Sequence, residues 1–296
     1  ANDIICLAFT PVLTLALQSA RRNPIPYLLG LAVASNIGSA ATIIGNPQNM
    51  LIGQVGRLAF ERFFFWCAPP AAVALLLSYL LLCLFFRKDF NLRQETRDEA
   101  AILQTLPRFD RWQSAKGLIV VGLLMALFLT PVPREMSAIA AAGVLLCSRR
   151  MKSRDMLQLV DWHLITLFCA LFVIVHGIET TGLPGALLAT LKEARVDLHD
   201  LITLSGVSVV LSNLVSNVPA SMLLIKFLDP ARVDQWYALA VSSTFAGNLI
   251  TIGSIANLIV IESAREYGVT IGFGEHARAG VPITIFSLLT VIFWLG

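Results

Sequence analysis

Long apolar runs alternate with short polar interruptions along this chain, and the runs have membrane length. Nine stretches carry no Asp, Glu, Lys or Arg for 13 residues or more: 4–20, 23–56, 63–86, 117–133, 136–148, 162–178, 201–225, 235–261 and 279–296. A bilayer core takes about 20 apolar residues per spanning helix, so most of these runs predict one helix each. Three are irregular. The run 23–56 is interrupted by Ser35-Asn36-Ile37-Gly38-Ser39 and again by Gly45-Asn46-Pro47-Gln48-Asn49. The run 235–261 carries Ser242-Ser243-Thr244, Gly247-Asn248 and Gly253-Ser254-Ile255-Ala256-Asn257. Backbone facing lipid must be fully hydrogen-bonded, so a break at membrane depth survives only where it is buried or lines a wet cavity. Both runs therefore predict broken helices.

The third irregular run, 201–225, is polar at its centre, Ser212-Asn213-Leu214-Val215-Ser216-Asn217-Val218-Pro219. Ser and Asn ahead of a Pro are helix-start chemistry. Each flank has about ten residues, roughly 15 Å of helix, or half a bilayer. The pattern predicts a re-entrant hairpin with its tip near the midplane. A single kinked span with small polar packing residues is the competing reading.

These features repeat in order. An Asn-headed apolar run (Asn2-Asp3-Ile4-Ile5; Asn217-Val218-Pro219-Ala220) is followed by a broken helix with Gly-x-x-x-Asn (Gly45 to Asn49; Gly253 to Asn257). Each is followed by a helix with an early proline (Pro69-Pro70; Pro282). Two ordered copies are the mark of a repeat-built secondary transporter whose site lies between the repeats. When the crossings are alternated from Asn2, one side collects 15 Lys or Arg and the other 7. The positive-inside rule makes the richer side cytoplasmic and gives the two broken helices opposite directions, so the expected repeats are inverted. The expected organisation is a first repeat over 1–86, a cytoplasmic linker over 87–116, and a second repeat over 117–296. This second repeat holds the outer hairpin 201–225, the broken helix 235–261 and a final helix 279–296. Segment 183–200 is expected to lie along the outer interface, and Trp66, Trp162, Trp236 and Trp294 to form an aromatic belt.

Composition narrows the class. The chain is 56% hydrophobic and 14% charged over 296 residues, with mean hydropathy +0.75; soluble domains carry about 25% charged residues. The fold class is an all-α polytopic membrane protein. A soluble enzyme, a nucleic-acid binder and a disordered chain are excluded. A net charge of +3 gives no reason to expect an anionic polymer as partner. The five cysteines form no C-x-x-C or Cys/His cluster and read as small hydrophobes. No metal site, no cofactor beyond a coupling ion, no H-E-x-x-H and no G-x-x-x-x-G-K-[ST] is legible.

The tips and breaks resemble the ion transporter superfamily: Asn2-Asp3 before an apolar arm, Ser-Asn-Ile-Gly-Ser with Gly-Asn-Pro-Gln-Asn, Ser216-Asn217-Val218-Pro219, and Gly253-Ser254-Ile255-Ala256-Asn257. Within it they are most similar to the branch of arsenite permeases, NhaD-type sodium/proton antiporters and citrate-permease-like proteins, nearest to poorly characterised bacterial inner-membrane anion permeases. The stretch from Val160-Asp161-Trp162-His163 to Gly182 resembles the helix opening the second half. Gly280-Val281-Pro282-Ile283-Thr284 resembles the closing helix. Against family length, about a hundred N-terminal residues are expected to precede this chain. The resemblance implies a scaffold domain and a transport domain with two hairpin tips. Sodium–dicarboxylate members carry Ser-Asn-Thr at both tips. Here the outer tip lacks the final hydroxyl and Asp3 follows Asn2, a departure from sodium–dicarboxylate symport.

The candidate substrate and ion site comprises Asn2, Asp3, Asn36, Ser39, Gly45, Asn46, Asn49, Ser216, Asn217, Thr244, Gly247, Asn248, Gly253 and Asn257. Amides offer oxygens to cations and NH₂ groups to anions, glycines let ligand or backbone come close, and half-helix N-termini favour anions. A transient Na⁺ fits Asn2, Asp3 and Asn217, and a carboxylate held at membrane depth fits proton exchange at Asp3. The expected function is secondary active transport of a small anion or metalloid oxyacid across a bacterial cytoplasmic membrane, coupled to H⁺ or Na⁺, with the C-terminus outside. An Na⁺/H⁺ antiporter, a passive anion channel and a pump-associated permease are the alternatives. The expected partners are the lipid bilayer and a small inorganic or organic anion, with a homodimer and a cytosolic ATPase left open.

Overall fold

The computed structural model describes residues 1–89, 110–147, 160, 162–182, 190 and 196–295. The described residues form two compact units by chain contact: Ala1–Gln104 with Ile178–Gly296, and Thr105–Gly177. The second unit contains α5 (Arg111–Leu127), α6 (Arg134–Leu146) and most of α7 (Trp162–Thr180). Helix α5 begins inside the expected linker because Asp110 caps it, its carboxylate accepting from the backbone N–H groups of Trp112 and Gln113. The expectations for 90–109, 149–155 and most of 183–195 lie outside the described residues.

The first unit holds every candidate site residue. Its helices are α1 (Asn2–Ser19), α2 (Ile25–Ser39), α3 (Pro47–Val55), α4 (Phe60–Phe85), α8 (Leu201–Val215), α9 (Asn217–Leu224), α10 (Val233–Ala246), α11 (Ile255–Glu266) and α12 (Phe273–Leu295). Among the described residues, α1, α4 and α12 are long and apolar enough to cross a membrane. Helix α1 is inside-out relative to a water-soluble helix. Asn2, Cys6, Thr10 and Thr14, spaced four apart, are buried, while Ile4, Leu7 and Phe9 are exposed. Residues four apart share one face, so its polar stripe packs inward on α2 and α11 and its apolar stripe faces out. Phe293 on α12 is 90% exposed. Apolar surface on this scale belongs against lipid.

Each irregular run is divided between two helices. Run 23–56 is α2 and α3, separated by residues 40–46. Run 235–261 falls in α10 and α11, separated by 247–254 with a single 3₁₀ turn at Thr251–Gly253. Run 201–225 is α8 and α9 meeting at Ser216, which has φ 79° and ψ 156°. That backbone region is nearly exclusive to glycine, so the two helices meet at a strained serine.

Two expectations need correction. Helix α12 starts at Phe273, so residues 273–278 belong to the helix and not to a polar connection. Trp236 does not point outward to an interface. It is 5% exposed, packs against Gly56, and its indole N–H donates to the Asp229 carbonyl at 3.2 Å. Its neighbour Tyr237, also buried, stacks on Trp66.

Candidate functional site

Each break begins where a helix ends in carbonyls with no partner one turn ahead, and these must be satisfied by other groups. An asparagine does this in both halves. Asn49 Nδ2 donates back to the carbonyls of Ser39, Ala40 and Thr42 at 3.3, 3.4 and 3.1 Å. Asn257 Nδ2 donates back to those of Gly247 and Ile250 at 2.8 and 3.3 Å. The helix after each break is capped from the side chain just ahead of it. Asn46 Oδ1 accepts from Asn49 N at 2.8 Å, and Ser254 Oγ from Ala256 N at 3.2 Å. Most of these groups are related by one offset of 208 residues: Ser39 to Gly247, Thr42 to Ile250, Asn46 to Ser254 and Asn49 to Asn257.

The glycines fall on the same offset and have the same reason. A Cβ on Gly45 would lie 1.9 Å from the Ser39 carbonyl oxygen, and one on Gly253 would lie 3.1 Å from that of Gly247 and 2.9 Å from Asn213 Oδ1. The arms converge on these glycines as well. Asn2 N donates to the Gly45 carbonyl at 2.9 Å. With its amide nitrogen turned toward them, Asn217 donates to the carbonyls of Gly253 and Ser243 at 3.3 and 3.2 Å.

The two breaks are joined through Asn36. Its Oδ1 accepts from Asn2 Nδ2 at 3.0 Å and from Ser254 Oγ at 2.9 Å, while its Nδ2 donates to Asn248 Oδ1 at 2.9 Å and Asn257 Oδ1 at 3.0 Å. That uses two acceptor and two donor places, the whole capacity of an amide. A second cluster lies one turn on. Asn46 Nδ2 donates to Ser39 Oγ at 2.9 Å and Thr244 Oγ1 at 3.1 Å, and Thr244 Oγ1 in turn reaches Asn49 Oδ1 at 3.4 Å. Ser39 Oγ donates to the Asn36 carbonyl at 2.7 Å, which ties the clusters together.

Of the fourteen candidates, Asn2, Asn36, Ser39, Asn46, Asn49, Thr244, Asn248 and Asn257 thus share one buried network, and Gly45, Gly247, Gly253 and Asn217 wall it. Asp3 sits half-buried in the first turn of α1 beside Asn2. Ser216 shapes the turn, but its side chain is exposed. Four participants were not among the candidates: Ser254, Gln48, Asn213 and His276. Gln48 Nε2 reaches Thr244 Oγ1 at 3.4 Å. His276, 1% exposed, has Nε2 3.2 Å from the Asn248 carbonyl. Its signal was hidden because Glu275 and Arg278 break the apolar run around it.

Among the described residues, no Lys, Arg, Asp or Glu is buried; the network is amide and hydroxyl with one imidazole at its edge. Such a surface can hydrogen-bond in both directions and holds no fixed charge of its own.

The sequence profile of the citrate transporter family matches residues 1–246. The chain belongs to the citrate transporter family. It is 29% identical to the 46 kDa membrane protein of Mycobacterium leprae (strain TN) over 99% of this chain and 73% of that protein. It is 30% identical to the silicon efflux transporter LSI3 of Oryza sativa subsp. japonica over 96% of this chain and 73% of that protein. It is 32% identical to the inner membrane protein YbiR of Escherichia coli (strain K12), over 97% and 71% respectively. A member of this family is a membrane transporter and not an enzyme, which agrees with a buried network that is polar, uncharged and built around two helix breaks.

Proposed function

We propose that this chain is a secondary active transporter of a small anion or metalloid oxyacid, driven by H⁺ or Na⁺. In this reading 1–86 and 117–296 are inverted repeats, and 201–225 is a re-entrant hairpin. Access to one site at the breaks alternates between the cytoplasm and the outside, with 87–116 cytoplasmic. The observation that carries the reading is the Asn36 junction: one amide, saturated by both halves, at the point where two capped half-helices begin. The first N–H groups of α3 and α11 carry partial positive charge, and amides and hydroxyls supply both donors and acceptors. A small oxygen-rich solute fits such a surface. A multiply charged anion would need a cation beside it, because no buried Lys or Arg accompanies these groups among the described residues. The family is named for citrate, an oxygen-rich anion, and the rice relative for silicon efflux.

Coupling is assigned to Asp3, the carboxylate next to the network residue Asn2. The test is uptake into proteoliposomes under an imposed pH or Na⁺ gradient, screened with arsenite, silicic acid, citrate, dicarboxylates and Na⁺. Saturable uptake that follows one gradient, and loses it in Asp3→Asn, is the expected result. Flux that ignores both gradients and does not saturate would make the chain a channel.

A further inference from the structure

The Asn36 network carries no buried Lys, Arg, Asp or Glu among the described residues, so its amides and hydroxyls meet an anion and an uncharged hydroxyl solute on similar terms. One group at its edge can acquire a charge. His276, in the first turns of α12, is 1% exposed. Histidine is the side chain whose charge changes near neutral pH, and among the described residues no other histidine is buried.

A glycine brings the second break to this ring. A Cβ on Gly280, one turn along α12, would lie 2.2 Å from the Asn248 carbonyl oxygen and 3.1 Å from His276 Nε2. The bare backbone lets that carbonyl come against the helix, where it meets His276 Nε2 at 3.2 Å. A carbonyl oxygen only accepts, so Nε2 carries the hydrogen and the neutral ring takes its next proton at Nδ1. On protonation the bond to Asn248 survives as a charge-assisted one, and a full positive charge stands at the break. The side chain of the same asparagine has a vacancy. Asn248 Oδ1 accepts from Asn36 Nδ2 at 2.9 Å, but Asn248 Nδ2 is buried with no partner within the protein. A buried amide N–H left without an acceptor calls for one from elsewhere. The spare donor and the chargeable ring thus belong to two residues already joined by one hydrogen bond.

No buried carboxylate cancels the charge this ring would gain. On its own helix Glu275 and Arg278 are exposed and engaged by the Gly272 N–H and the Phe85 carbonyl at 2.8 and 2.9 Å. Helix α12 packs on α4, α10, α8, α2 and the 3₁₀ turn Thr251–Gly253. Helix α4 brings Tyr79 and Cys83 near its end, followed by the exposed Arg87 and Lys88, with Glu61, Arg62 and the buried Cys67 toward its start. Helix α10 brings Asp234 and Tyr237, and α2 brings Tyr27, while α8 and the 3₁₀ turn carry no titratable group. Helix α11, beyond the break, has the exposed Glu262, Arg265 and Glu266. Of all these only Cys67 and Tyr237 are buried, and a thiol and a phenol are ordinarily neutral at pH 7.

The geometry points to His276 as the residue that sets anion selectivity: protonated, it supplies the positive charge that holds an oxyanion at the Asn248 amide, and neutral, it lets the anion go. The inference rests on the transport reading above and adds a proton to it at the second break. Asp3, beside Asn2, stands on the other side of Asn36. Anion and proton then raise one another's affinity by the same factor. As pH rises through the titration of the imidazole the anion loses its partner, so its affinity falls by up to about tenfold per pH unit.

The full chain in proteoliposomes is assayed for exchange of citrate, an anion, and of silicic acid, an uncharged solute, between about pH 5 and 8. Half-saturation by citrate should rise about tenfold or more across this range relative to His276→Gln, whose amide still donates to the Asn248 carbonyl but takes no charge. Comparing the two profiles cancels the titration of citrate itself. Silicic acid should give the same profile in both proteins. A second measurement needs no variant: in the unaltered protein with isotope-labelled histidine, magnetic resonance should show citrate, and not silicic acid, converting one imidazole from neutral to doubly protonated near neutral pH. Citrate profiles that coincide in the two proteins, or imidazole signals indifferent to citrate, overturn the inference. Exchange of silicic acid alone overturns it too, because no anion is then held. Exchange of neither solute overturns the transport reading instead, and the imidazole signals still decide whether citrate charges His276.

Discussion

Asn36 Nδ2 lies 3.0 Å from Asn257 Oδ1, a contact between two polar breaks 221 residues apart in the chain. Replacing Asn36 by leucine leaves Asn2 Nδ2, Ser254 Oγ and the oxygens of Asn248 and Asn257 without that partner. A buried polar group stripped of its bond costs about 1–3 kcal/mol, so Asn36→Leu should lose about 3 kcal/mol or more. Thermal unfolding of the detergent-solubilised protein, read against Leu31→Ala on the same helix, measures it. A Tm equal to the unaltered protein's would show that the junction holds nothing together.

Glycine positions separate close approach from open space. A Cβ on Gly45 would meet the Ser39 carbonyl oxygen at 1.9 Å and one on Gly280 the Asn248 carbonyl oxygen at 2.2 Å, both backbone atoms. Gly45→Ala and Gly280→Ala should each destabilise by about 3 kcal/mol or more, since packed backbone gives way poorly. Gly206, with nothing within 4 Å of its would-be Cβ, is the counterpart. Gly206→Ala should stabilise α8 by about 0.5–1 kcal/mol. Equal Tm shifts in all three would contradict the geometry.

Ser216 holds φ 79° at the junction between α8 and α9. Backbone strain of this kind costs about 1–3 kcal/mol in a non-glycine residue. Ser216→Gly should raise the Tm, and Ser216→Val should lower it more than the loss of one exposed hydroxyl explains. Hydrogen exchange at residues 212–220 reports whether the change is local.

Asp200 caps α8, accepting from the Thr203 N–H and hydroxyl at 2.8 Å each. These bonds favour the carboxylate and hold its pKa below the ordinary aspartate value. A depressed carboxylate stabilises the fold at pH above its unfolded value, and that contribution is lost as pH falls through the folded one. Asp200→Asn should therefore flatten the stability–pH profile at its acidic end and leave it near neutral pH little changed, because asparagine also caps. An unaltered acidic limb would remove Asp200 from the pH response.

The breaks, their glycines and the helix junction at Ser216 are legible in the sequence, because each leaves a local mark: small and amide residues inside an apolar run. The pairing of Asn36 with Asn248 and Asn257 was not, since one asparagine gives no sign of which distant amide it meets. His276 was missed for a related reason. The start of α12 carries the exposed Glu275 and Arg278, which break the charge-free run, while His276 is buried. Trp236 was misplaced because the aromatic-belt rule reads type and position but not direction. Only packing shows that this indole fills the space left by Gly56.

An amide with every donor and acceptor place occupied has nothing left to give a passing solute without dropping something it already holds. Asn36 is in that state. Sliding one helix break past the other would break three of its bonds at once, those to Ser254, Asn248 and Asn257. The unspent capacity of the junction therefore lies one atom away, on Asn2 Oδ1 and Asn248 Nδ2, which are buried without a hydrogen-bond partner.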